Sequence, residues 1–170
     1  MNYRHAFHAG NFADLAKHAA VALLLDRLLV SPSALRVIDT HAGAGLYDLS
    51  GSMARKSGEA EAGVMRLMAD RDAPQALQGV RSAVARLNPK GPIVLYPGSP
   101  RQIAERLRPG DTYLGAELHE DDFAFLQQAW GPFRPGAAAV KADGYEVAKT
   151  AAGQGGRLFV LVDPPFERAD

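Results

Sequence analysis

The chain contains no cysteine, which excludes disulfides, thiolate-bound zinc and thiol nucleophiles and leaves the compartment open. Long apolar runs are missing too. The longest, AAVALLL at 19–25, is far too short to span a bilayer, and the opening MNYRHAFHAG has no apolar segment of the signal-peptide kind. Net charge is absent: 19 Lys and Arg balance 19 Asp and Glu. Long-range attraction to polyanions is therefore not expected, and a nucleic-acid partner would need local basic clusters. His5, His8, His18, His41 and His119 form no HxxxH or HxH pair, so they read as hydrogen-bonding groups and no metal is expected. Internal repeats, low-complexity tracts and interdomain linkers are not evident. What is present is a 47% hydrophobic chain of 170 residues, enough for one domain with a real core. The expectation is a soluble, cytoplasmic protein, most simply a monomer.

Asn11 to Val30 reads as a helix, with Asn11 as N-cap and Ser31-Pro32 as the stop. At 100° per residue, Asp14, Lys17 and His18 share a face with Val21, Leu25 and Leu28. The apolar end of that face belongs in the core, so its polar first turns point inward as well. That arrangement favours a polar pocket. Leu35 to Ile38 reads as a short strand leading to Asp39 and a glycine-rich turn. Residues 59–70 and 74–88 read as helices, with Pro74 in a first turn and Asn88-Pro89 as a break. IVLYPGSP is a short strand and turn. Ser99-Pro100-x-Gln102 has the form of an N-cap with a capping box, opening a helix over 100–108. TYLGAEL, AAAVKADG and RLFVLV read as strands, and DDFAFLQQAW as a helix. Apolar strands alternating with helices predict an α/β fold with a parallel sheet covered on both faces.

Asp39, Glu117 and Asp163 directly follow apolar strands, and Asp143 follows a weaker one. The carboxyl ends of parallel strands open together onto the ligand crevice of an α/β sheet, so these acids should converge. The turn DTHAGAG supplies small residues, Gly43 among them, where backbone can approach a ligand. It lacks GxGxxG and no P-loop lysine follows, which disfavours a nucleoside triphosphate. Carboxylates suit ribose hydroxyls, an adenine amine or an amino group. S-adenosylmethionine offers all three. Asp39 is expected at the ligand directly or through water.

Phe159 to Val162 feeds straight into Asp163-Pro164-Pro165-Phe166. The prolines remove donors and fix φ, and Asp163 is pushed toward an extended conformation. A rigid edge of acid, imide carbonyl and aromatic ring results. Such an edge is more than a mere turn requires, which points to something that it grips.

These segments carry a resemblance. DTHAGAG resembles the first cofactor motif of Rossmann-like methyltransferases, and DPPF resembles the (D/N/S)PP(Y/F/W) motif of those that methylate exocyclic amines. The opening YRHAFHAGNFADLAKH, with DTHAGAG, YPGSP, ELH, KADG and DPPF, is similar in order and spacing to the RlmJ (YhiR) family of 23S rRNA (adenine(2030)-N(6))-methyltransferases, over essentially the whole chain. The resemblance implies a Rossmann-like fold with S-adenosylmethionine as cofactor and an unpaired or flipped adenine of 23S rRNA as substrate. It places His18, His41, Ser99, Glu117, Asp143, Gly144 and Asp163 around the cofactor with Lys17 nearby. Glu117 is implied at the ribose hydroxyls and Asp143 at the adenine amine. Asp163 is implied as the catalytic residue, with Pro164 and Phe166 beside it, and Tyr3 as an RNA contact. Arg4 and His5 extend that basic-aromatic tail. Phe166 stands where close relatives usually carry Tyr, which keeps the stacking face and loses a hydroxyl.

The family runs to well over 200 residues, whereas this chain stops four residues beyond Phe166. The expectation is a truncated domain, 1–170, that lacks C-terminal strands and is not a competent enzyme in this form. Residues 46–95 read as a helical insertion for RNA docking. Two rivals stand beside the RNA methyltransferase: a DNA adenine methyltransferase and a non-catalytic RNA- or nucleotide-binding fragment. Ribonuclease sensitivity of the methylated substrate separates the first, and cofactor binding without turnover would support the second.

Overall fold

A computed structural model describes residues 5–129 and 136–165. Tyr3, Arg4, Trp130 and Phe166, and the side chain of His5, lie outside the described residues. Helix α1 (Phe12–Leu28) starts where Asn11 Oδ1 accepts the Asp14 N–H at 2.9 Å. Its inward face buries Leu15, Ala19, Val21, Ala22 and Leu25, at the spacing of one helical stripe.

Strand β1 (Leu35–Asp39) is central. It pairs in parallel with β4 (Thr112–Ala116) on one side and with β6 (Arg157–Leu161) on the other. Strand β5 (Ala137–Val140) pairs in parallel with β4, giving the order β5-β4-β1-β6. The chain builds outward through β4 and β5, then returns to the far side of β1. That reversal is the topological switch where parallel sheets open a crevice beyond their carboxyl ends. Val21 and Leu25 of α1 and Ile103 of α5 (Ser99–Ala104) pack with Leu35, Val37 and Tyr113 of the sheet. Helix α6 (Glu120–Leu126) packs on β5, and α7 (Gly144–Gly153) on β1, β4 and β6. The class is α/β with a parallel sheet, as the strand pattern predicts, and Rossmann-like, as the resemblance implies.

Between β1 and α5 lies a second layer. Strands β2 (Leu46–Asp48) and β3 (Leu95–Pro97) form an antiparallel ribbon with Tyr47 opposite Tyr96. Between them run α2 (Ser52–Ser57), a wider turn over Glu61–Met65, α3 (Arg66–Ala69) and α4 (Gln78–Leu87). Val64, Leu67, Val80, Val84 and Tyr96 pack with Leu15 and Ala19 of α1 as a distinct core.

The structure corrects several expected boundaries. The helix expected over 59–70 is broken at Gly63 (φ −98°, ψ −105°), where the chain passes so close to Gly10 O that a Cβ would collide with it. The Val64 N–H donates to that same oxygen at 2.8 Å. Pro74 stands before the helix in extended backbone rather than in its first turn. Helix α5 ends at Ala104 instead of reaching residue 108. Beyond it the Arg108 guanidinium turns back to the carbonyls of Leu29 and Ser31 and to Asp111. Asp111 Oδ1 in turn accepts the Leu35 N–H at 2.8 Å, clamping the start of β1. Helix α7 had no counterpart in the sequence reading.

Candidate functional site

A cleft of about 960 Å³ opens at the carboxyl edge of the sheet, at the upper end of the range for small-molecule sites. Glu117, Asp143 and Asp163 line it, as do Gly43, His41, Ser99, Gly144 and Pro164. The buried face of α1 contributes Asp14, Lys17 and His18. The polar first turns of that helix therefore meet the acids of the strand ends, as the helical wheel predicts.

Each acid is held differently. Glu117 Oε2 accepts the Gly43 N–H at 2.9 Å and Oε1 accepts the His119 N–H at 2.7 Å. This ties the end of β4 to the glycine turn, and the carboxylate keeps lone pairs for a hydroxyl-bearing ligand. Asp143 caps α7, with Oδ1 accepting from Tyr145 N at 2.8 Å and more weakly from Glu146 N at 3.4 Å. Asp163 Oδ2 accepts from Lys17 Nζ at 2.8 Å. Burial alone would lower Lys17, but Asp14 and Asp163 outweigh it and hold the ammonium above the ordinary lysine value.

Asp39 differs from the other three. It is 0% exposed and lies beneath the cleft wall rather than on it. Ser99 Oγ donates to its Oδ2 at 2.7 Å, and Tyr113 OH to the same oxygen at 3.3 Å. Burial raises its carboxyl from 3.8 to about 6, with the Ser99 bond and the Lys17 charge opposing. Asp39 thus meets the cleft indirectly, through partners such as Ser99 that line it. Ser99 itself is not the helix cap: Gly98 occupies that position, and Gln102 Nε2 donates to Pro97 O instead of completing a capping box.

The glycine turn is built for close approach. Gly43 has φ 62°, and a Cβ there would meet the Tyr47 hydroxyl at 2.3 Å. At Gly144 a Cβ would sit 1.9 Å from Thr40 O, so only glycine lets α7 start against the end of β1. His41 lies edge-on to Tyr145, with ring centroids 5.2 Å apart. Burial lowers the His41 imidazole against the pull of Glu117, Asp163 and Asp143.

Some lining residues escaped the sequence reading. Leu118, 60% exposed, and Tyr145 present apolar surface to the cleft beside Glu117 and Asp143. Leu118 directly follows Glu117 and Tyr145 lies two residues after Asp143, and that adjacency is the signal the sequence offers. The sequence marks Asp14 only as part of a helix face. Among the described residues, no group of three His, Asp or Glu side chains could hold a metal, and no helix is long and apolar enough to cross a membrane.

Comparison with known proteins agrees with this architecture. The family described as "Ribosomal RNA large subunit methyltransferase D, RlmJ" matches residues 32–170. The Escherichia coli (strain K12) protein named ribosomal RNA large subunit methyltransferase J is 35% identical, over 98% of this chain and 60% of its own length. The Haemophilus influenzae protein of the same name is 36% identical, over 100% of this chain and 61% of its own length. This chain therefore spans about three-fifths of the length of the curated relatives it matches. A crystal structure of a Legionella pneumophila protein superposes with a TM-score of 0.83 at 31% identity, covering 95% of this chain and 59% of that one.

Proposed function

The chain belongs to the RlmJ family of ribosomal RNA large subunit methyltransferases, and from that premise we propose that it transfers a methyl group from S-adenosylmethionine to the exocyclic 6-amino group of an adenine in 23S rRNA. One observation carries the proposal. Asp163 and Pro164 line the same cleft as Glu117, Asp143 and the glycine turn.

The donor set fits S-adenosylmethionine. Glu117, anchored by two backbone N–H groups, is placed to accept both hydroxyls of a ribose. Asp143 uses Oδ1 as a cap, which leaves Oδ2 for an adenine amine. Leu118 and Tyr145 offer apolar faces to a flat base. Ser99 Oγ gives its proton to Asp39, so it faces the cleft as an acceptor, suited to an ammonium. When bound, S-adenosylmethionine supplies an electrophilic methyl group on sulfur.

The amine of adenine is a poor nucleophile because its lone pair is delocalised into the ring. Asp163 and the Pro164 carbonyl accept its two hydrogens and hold the nitrogen toward a tetrahedral shape, with the lone pair aimed at the methyl carbon. Asp163 then takes the proton that becomes surplus as the nitrogen–carbon bond forms and sulfur keeps the electron pair of the broken bond. Lys17 stays protonated beside Asp163, with Nζ 2.8 Å from its Oδ2. Phe166, outside the described residues, would stack on the base, a contact of about 1–3 kcal/mol. Most of the rate gain comes from positioning. The amine must leave any helix, so an unpaired or flipped adenine is required.

The helices of 46–95 act, on this reading, as an RNA-docking insertion, and Tyr3, Arg4 and His5 reach the RNA from the N-terminal side. A monomer working in the cytoplasm fits the proposal. Titration calorimetry with S-adenosylmethionine tests the cofactor half: the chain should bind it, and Glu117→Ala should weaken binding about tenfold, one anchored pair of hydrogen bonds. Equal affinity in the two would overturn the assignment of the ribose site.

A further inference from the structure

The Lys17 ammonium sits between two carboxylates drawn from opposite ends of the sequence, 2.8 Å from Asp14 Oδ1 and 2.8 Å from Asp163 Oδ2. Asp14 is only 3% exposed. Its second oxygen accepts the Gly10 N–H at 3.0 Å, and its own N–H donates to Asn11 Oδ1 at 2.9 Å. The carboxylate is thus locked at both ends, one oxygen on the turn before α1 and the other on Lys17. The Lys17 ammonium thus divides its hydrogen bonds between two carboxylates instead of closing on Asp163 alone. Within a partly buried cleft such sharing matters, since charge interactions strengthen as water is excluded.

We propose that Asp14 is a positioning residue for methyl transfer: it shares the Lys17 ammonium with Asp163, so that Asp163 remains an open acceptor for the substrate amine. The inference rests on the methyltransferase reading above. A plain capping role would explain the Gly10 contact and would not call for the second oxygen on Lys17. The carboxylates facing Lys17 come from three elements: Asp14 on α1, Asp163 beyond β6, and Asp39 at the end of β1, whose carboxyl feels the Lys17 charge. Of the two that raise Lys17, Asp14 acts more strongly than Asp163.

The test is Asp14→Asn, which keeps an acceptor for Gly10 and removes the charge. Carbon-13 NMR of the Lys17 Cε, followed across the lysine titration range, compares the parent, D14N and D163N, each carried in the chain extended to the length of its relatives. The Lys17 titration should move down in both variants, and further in D14N. Turnover at saturating S-adenosylmethionine should fall about tenfold in D14N while donor affinity changes less than about threefold, the pattern of a group acting only in the transition state. Asp14→Ser, with a capping oxygen on a shorter arm, repeats both measurements should D14N fail to fold. An unmoved Lys17 titration in D14N, or turnover equal to the parent, overturns the proposal. A parent with no methyl transfer to ribonuclease-sensitive RNA rejects the underlying reading instead, and the Lys17 titration still decides whether Asp14 holds the ammonium.

Discussion

Ser99 Oγ donates to the fully buried Asp39 carboxylate at 2.7 Å, across 60 positions of sequence. This bond joins the start of α5 to the end of the central strand. It also places an acid where burial lifts its carboxyl to about 6.

A pH dependence of stability follows. The folded chain holds the Asp39 proton more tightly than the unfolded chain, whose carboxyl titrates near 3.8. The contribution of Asp39 to stability is therefore fully present below about pH 4 and is lost as pH rises through about 6. Asp39→Asn has no such titration. Denaturant melts should show the variant gaining on the parent across that window by on the order of 3 kcal/mol. A constant difference between the two would contradict the burial of an ionisable Asp39.

Asp111 behaves in the opposite sense. Hydrogen bonds from Arg108 hold its carboxyl well below the ordinary range, with further help from the Leu35 N–H. Its stabilisation is present above the ordinary carboxylate value and is lost as pH falls beneath it. Asp111→Ala leaves the buried Leu35 N–H without its acceptor and should cost about 1–3 kcal/mol at neutral pH. Equal melting of parent and variant at pH 7 would remove Asp111 as the clamp of β1.

Gly144→Ala tests the close approach of α7 to β1. The added Cβ would lie 1.9 Å from Thr40 O, so the helix must shift or the strand end must give. We expect a loss of about 2 kcal/mol in stability and a weaker S-adenosylmethionine site, because Asp143 caps the same helix start. Unchanged melting and unchanged donor affinity would show that the junction yields freely.

Much of this site was legible in the residues alone. The 3.6-residue period of α1 set Asp14, Lys17 and His18 on the core-facing side, and the structure puts them in the cleft. The apolar strands ahead of Asp39, Glu117, Asp143 and Asp163 placed the acids at one edge. The rest depended on long-range partners that local pattern does not carry. Nothing in YPGSP says that Ser99 will abandon its cap for Asp39. Strands as short as β2 and β3 cannot announce that they pair with each other rather than with the main sheet. Helix α7 escaped because Asp143 was read as a strand-end acid, and GYEVAKTAAG gives few large apolar residues to mark a buried stripe.

Tritiated methyl transfer to unmodified 23S rRNA tests the role of Asp163 most directly, comparing the chain extended to the length of its relatives with its Asp163→Ala version. The prediction is transfer to adenine by the parent and a loss of about a hundredfold or more in the variant, with S-adenosylmethionine binding weakened far less. Equal transfer by the two proteins would contradict the role given to Asp163 and to the cleft built around it.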